Sequence, residues 1–102
     1  MLALVVPATA SAGTYQSGCV LLDRYSCMTT GSTRLYTAHY GNAAPGTYIA
    51  SWLFNPVTGV TVDKGWGFGA SGGEYDGPQT TYGYWGNYSG VDNVWVLGTF
   101  EY

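Results

Sequence analysis

Thr47-Tyr48-Ile49-Ala50-Ser51-Trp52-Leu53-Phe54 is the stretch on which the fold turns. Side chains alternate across a strand. Tyr48, Ala50, Trp52 and Phe54 therefore fall on one face, and Thr47, Ile49, Ser51 and Leu53 on the other. Apolar side chains on both faces predict a central strand. Asn55-Pro56-Val57-Thr58-Gly59 follows as a hairpin loop, because Pro and Gly supply the φ values a reversal needs. A return strand is predicted from Val60 to Phe68, with a bulge or bend at Asp63-Lys64-Gly65.

Working outward, no stretch keeps a helical period over the roughly ten residues a helix needs. Glycine or proline interrupts almost every window, and each interior glycine costs a helix about 1 kcal/mol. Upstream, Cys19-Val20-Leu21-Leu22 turns at Asp23-Arg24 and returns through Tyr25-Ser26-Cys27, which predicts a hairpin stapled by a Cys19–Cys27 disulfide. Thr33 to Tyr40 is a further strand, ended by the turn at Asn42 to Gly46. Downstream, Gly69 to Gly77 is small and polar and reads as a mobile loop around Ser71-Gly72-Gly73. Thr80 to Trp85 is an aromatic strand, Gly86 to Gly90 a turn, and Val94 to Tyr102 a last alternating strand. The expectation is an all-β fold: a small antiparallel β-sandwich of six or seven strands.

At 102 residues the chain has room for one domain. Charged residues are 9% of it, against roughly 25% in ordinary soluble domains. Disorder is not implied, because 46% of the residues are hydrophobic and 17% aromatic. The net charge is -3, and the three basic residues, Arg24, Arg34 and Lys64, stand apart. Nucleic-acid binding needs clustered Lys and Arg, so nucleic acid is set aside as a partner. Residues 1–12 read as the remnant of a secretory signal: apolar from Met1 to Val6, broken at Pro7, and ending in the small-x-small pattern Ala10-Ser11-Ala12. The mature domain is then 13–102, secreted and extracellular. Six apolar residues are too few for a membrane span, which takes ~20. In that oxidising setting a structural disulfide is the expected state of the two cysteines.

Few residues are suited to chemistry. His39 is the only histidine, which argues against zinc and leaves one candidate base. No serine sits in a G-x-S-x-G elbow. Glu74, Asp76, Asp92 and Glu101 are the acids that a small glycan hydrolase would use, and Glu74 and Asp76 share a face if extended. No metal or other cofactor is expected, and the chain is read as a non-enzyme. Asn87-Tyr88-Ser89 fits the N-glycosylation triplet.

The aromatics are the informative signal. Tyr82, Tyr84 and Tyr88 share a parity and Trp85 has the other, so large rings face outward whichever side is buried. Exposed Tyr and Trp bring rigid contact area at low entropy cost. Trp66, Tyr82, Tyr84, Trp85, Asn87, Tyr88 and Trp95 are the candidate binding residues. Alternatively, these rings cover a thin core from outside. A carbohydrate-attachment module is usually joined to a catalytic domain, and one domain is visible here. The expectation is therefore an interaction module docking on an extracellular protein partner or on itself. A carbohydrate- or cell-wall-binding module, using Tyr84, Trp85, Asn87 and Tyr88, is the rival. A coplanar row of rings would favour glycan, and a mixed patch of several hundred Å² would favour protein.

Overall fold

A computed structural model describes residues 13–77 and 80–102. The expected signal remnant at 1–12 lies outside the described residues. The chain forms eight strands: β1 (Thr14–Leu21), β2 (Ser26–Ser32), β3 (Tyr36–Asn42), β4 (Tyr48–Asn55), β5 (Val60–Phe68), β6 (Ala70–Asp76), β7 (Thr81–Asn87) and β8 (Val94–Glu101). Two antiparallel four-stranded sheets face each other, sheet I in the order β1-β8-β3-β6 and sheet II in the order β2-β7-β4-β5. The β-sandwich is as expected, with more strands than six or seven.

The alternation in β4 works as read. Ile49, Ser51 and Leu53 are fully buried between the sheets, and β4 is central, between β7 and β5. The β4–β5 hairpin forms, but the irregularity falls elsewhere than Asp63-Lys64-Gly65. Leu53 pairs with Asp63 and Phe54 with Thr61, so the extra residue is Val62.

Two further expectations are corrected. Cys19 and Cys27 are joined, but the strands that carry them do not pair. β1 is the edge of sheet I and β2 the edge of sheet II. The connection is an arch over the sandwich edge, and the disulfide clasps its base. Arg24 lies in this arch with a positive φ of 66°. The second correction is Gly69 to Gly77, where a strand, β6, stands in place of a mobile loop. Its glycines serve close approach. A Cβ at Gly65 would run into the Gly72 backbone, and one at Gly67 into the Ala70 carbonyl. With Gly69 at φ +77° making the crossing, β5 and β6 meet backbone to backbone and shut the edge opposite the arch.

Trp85 anchors the interior on the arch side. It is 1% exposed and packs with Leu21, Ile49 and Val96, with the disulfide cysteines against the same cluster. Its ring lies where a Cβ of residue 98 would be, which is why Gly98 stands there in β8. The indole N–H donates to the Val96 carbonyl at 3.2 Å.

Candidate functional site

The outward side chains of sheet II follow from the buried ones. With Trp85 turned in, Tyr82 and Tyr84 turn out from β7. With Ile49, Ser51 and Leu53 turned in, Tyr48, Trp52 and Phe54 turn out from β4. Beyond the bulge, Lys64, Trp66 and Phe68 turn out from β5, in register with Trp52, Ala50 and Tyr48. The rings meet across strands. Trp52 stacks on Tyr84 with centroids 5.4 Å apart and planes 3° from parallel, and Phe54 meets Tyr84 edge-on. Tyr48 stacks on Trp66 at 5.7 Å and 17°. Phe68 tilts against Tyr48, and Tyr88, from the loop after β7, meets Trp66 edge-on. Lys64 Nζ lies 5.7 Å from the Trp66 ring centre, within cation–π range.

This face stays open. Phe68 is 71% exposed, Met28 51% and Trp66 45%. Two shallow clefts flank the Trp66–Tyr88 pair. The larger, about 360 Å³, runs from Tyr48 and Trp66 to Asp23, Arg24 and Ser89 in the end loops. The smaller, about 160 Å³, lies between Trp52, Lys64 and Trp66.

Of the residues singled out from sequence, Trp66, Tyr82, Tyr84 and Tyr88 come together on this face. Trp85 and Asn87 do not belong to it. Trp85 is core, and Asn87 is wholly buried, its Nδ2 donating to the Leu21 and Val91 carbonyls and its Oδ1 accepting from Ser89. An acceptor side chain used this way is closed to N-glycosylation in the folded chain. Trp95 is 57% exposed but stands on the outer face of sheet I, its ring over Gly18. Trp52, Phe54 and Phe68 were missed as contact residues. Their shared parity with Tyr48 and Lys64 across a hairpin was the available signal.

The acids are not gathered into a cleft. Glu74 and Asp76 do share a face, the outer one of sheet I, with Glu101 across β3 from Glu74. Tyr36 donates its hydroxyl to Glu74 at 2.9 Å. Burial, followed by that carboxylate, holds the Tyr36 phenol well above its ordinary pKa. Asp92 is elsewhere, accepting the Asp23 N–H in the end loops. Among the described residues no group of three or more His, Cys, Asp or Glu is placed to hold a metal.

One cluster was not foreseen. His39 Nε2 lies 2.5 Å from Asp63 Oδ2, and Nδ1 lies 2.7 Å from Ser51 Oγ. The carboxylate can only accept, so Nε2 carries the proton and Nδ1 accepts from Ser51. Ser51 in turn accepts from Ser71 at 2.8 Å. The order serine, histidine, acid is that of a hydrolytic triad. Ser51 is fully buried, however, and a Cβ at Gly73 would already strike Asp63 and His39. No substrate carbonyl reaches this Oγ in the folded chain. The relay ties β3, β4, β5 and β6 together. Burial pushes the His39 pKa below its ordinary 6.5, against the pull of Asp63.

No family model matches the chain, and no curated protein sequence does. Its backbone is similar to solved structures of low identity. The exported protein XepA of PBSX superposes with a TM-score of 0.62 at 10% identity over 98% of this chain, which spans 39% of XepA. The pre-peptidase C-terminal domain of a Bacillus anthracis collagenase gives 0.58 at 10% identity, covering 84% of this chain and 88% of that one. The Aeromonas hydrophila periplasmic inhibitor of g-type lysozyme, PliG, gives 0.54 at 10% identity, covering 96% and 91%. These likenesses establish the sandwich fold, in forms found in exported and periplasmic proteins.

Proposed function

We propose that the protein is an exported, non-catalytic interaction module that docks on a protein partner through the outer face of sheet II. The observation that carries this reading is the open aromatic face, on which Trp66 and Phe68 remain exposed although each contacts another ring. Export is supported by the disulfide, by the small-x-small pattern at Ala10 to Ala12, and by the fold's occurrence in exported and periplasmic proteins. The ring arrangement favours protein over sugar. Trp52 and Tyr84 stack on each other, and Phe54 and Tyr88 meet their neighbours edge-on. Stacked, tilted and edge-on rings around a lysine make a mixed patch and not a coplanar row, and such patches mark protein contact sites.

The test uses immobilised wild-type protein beside a Trp66→Ala, Phe68→Ser variant whose fold is checked by circular dichroism. Wild type is expected to retain a discrete protein, identified by mass spectrometry, that rebinds in purified form and is lost with the variant. Retention of polysaccharide by wild type alone would replace the protein partner with a glycan. Equal retention by both would remove the face from function.

A further inference from the structure

Charge is divided unequally between the two broad faces. The strands of sheet I carry no Lys or Arg, and their outer face presents Glu74, Asp76 and Glu101. The outer face of sheet II presents Lys64 and no strand carboxylate, since Asp63 turns inward to His39. Arg24, its side chain 82% exposed and 3.9 Å from Asp23, stands at the margin of that face beside the larger cleft. Two of the chain's three basic residues thus border the aromatic face. The acidic face also offers apolar surface, with Val20 at 64% and Trp95 at 57% exposure.

We propose that the partner of the aromatic face is a second copy of this chain, engaged through its acidic face. The inference rests on the docking reading above and names the partner. Two aromatic faces brought together would offer Lys64 no strand carboxylate on either side. An aromatic face on an acidic one sets Lys64, with Arg24 beside Asp23 at the margin, toward Glu74, Asp76 and Glu101, and this charge complementarity favours the second arrangement. Area is of the right order: four strands of seven to nine residues, at ~3.3 Å per residue and ~4.8 Å between strands, project a face of roughly 500 Å² before side-chain relief is added, against the ~800 Å² of accessible surface per partner in a standard interface. Because two different faces meet, every added copy leaves one of each free. The contact is heterologous, and the assembly is an open stack.

Sedimentation velocity on the purified protein tests this. Wild type is expected to grow past the dimer as concentration rises. Lys64→Glu alone, and Asp76→Lys with Glu101→Lys alone, should each weaken association at least tenfold. Their equimolar mixture should restore it, because each then matches the other's faces. Glu74 is left in place because it accepts the Tyr36 hydroxyl. Trp95→Ala, on the acidic face alone, should also weaken association tenfold, which keeps the test valid if the double lysine variant fails to fold. A wild type that stays monomeric at millimolar concentration overturns the second-copy partner, while retention of another protein through Trp66 and Phe68 would leave the docking reading standing. Association insensitive to Trp95 and to the acidic-face charges also overturns it, in favour of aromatic face on aromatic face.

Discussion

The two lateral halves of the sandwich are closed by different means. On the arch side, β1 and β8 lie over β2 and β7, a disulfide spans the edge, and the interior is apolar around Trp85. On the other side, β3 and β6 lie over β4 and β5, glycine backbones touch across the edge, and the interior holds the His39–Asp63–Ser51–Ser71 relay. One half gains its stability from burial and a covalent clasp. The other depends on hydrogen bonds that hold only while each donor and acceptor keeps its partner. Acid should therefore weaken the second half and reductant the first.

The largest effect is expected at Trp85. Trp85→Ala should cost about 3–5 kcal/mol in urea denaturation, as for large core aromatics; a loss below about 1 kcal/mol would mean that the arch side collapses around the gap. Next is the clasp. Cys19→Ser with Cys27→Ser should lower stability by about 2–3 kcal/mol, the loop-entropy term for so short a ring, and dithiothreitol should shift the wild-type midpoint alone. On the other edge, Gly67→Ala should cost about 1–3 kcal/mol through backbone overpacking, with no sensitivity to reductant.

Protonation separates the halves further. Because burial depresses the His39 pKa, the unfolded chain binds the imidazole proton at a higher pH than the folded chain does. This contribution to stability is full above pH 6.5 and is lost as pH falls through the window below it. With one histidine in the chain, the urea midpoint between pH 7.5 and 5.5 should drop in wild type and flatten in His39→Gln. A slope unchanged by the substitution would place the acid sensitivity elsewhere. Smallest is the surface: Phe68→Ser should move stability by no more than about 0.5 kcal/mol, so that any lost association is read as lost contact.

Legibility from sequence followed the range of the interactions. The β4–β5 hairpin could be read because alternation and a Pro-Gly turn are local signals, and β7's in-out split of Trp85 against Tyr82 and Tyr84 was visible for the same reason. What could not be read was pairing. Cys19 and Cys27 close a short ring whether their strands pair or straddle two sheets, and only the partners β8 and β7 decide that. The run from Gly69 to Gly77 resembled a loop because glycine is poor in strands, yet here it is required by an approach whose other side is β5. The relay was hidden because Ser51 and Asp63 become neighbours of His39 only once β4 and β5 fold under β3. Trp85 and Asn87 entered the candidate site on residue type; burial, a property of the whole fold, removed them.

The pairing of Gly13 with Tyr102 has a mechanical consequence. Gly13 and Tyr102 are paired, each N–H donating to the other's carbonyl at 2.5 and 3.0 Å. β1 runs antiparallel to β8 from that point. A load pulling these two positions apart meets the ladder one rung at a time, as a zipper does, and not in shear. Peeling can run from Thr14 only as far as Cys19, where the disulfide hands the load to β2 and bypasses the arch. The covalent clasp thus acts as a stop: the segment from Thr14 to Gly18 can pay out as a short tether while the Trp85 interior stays shut.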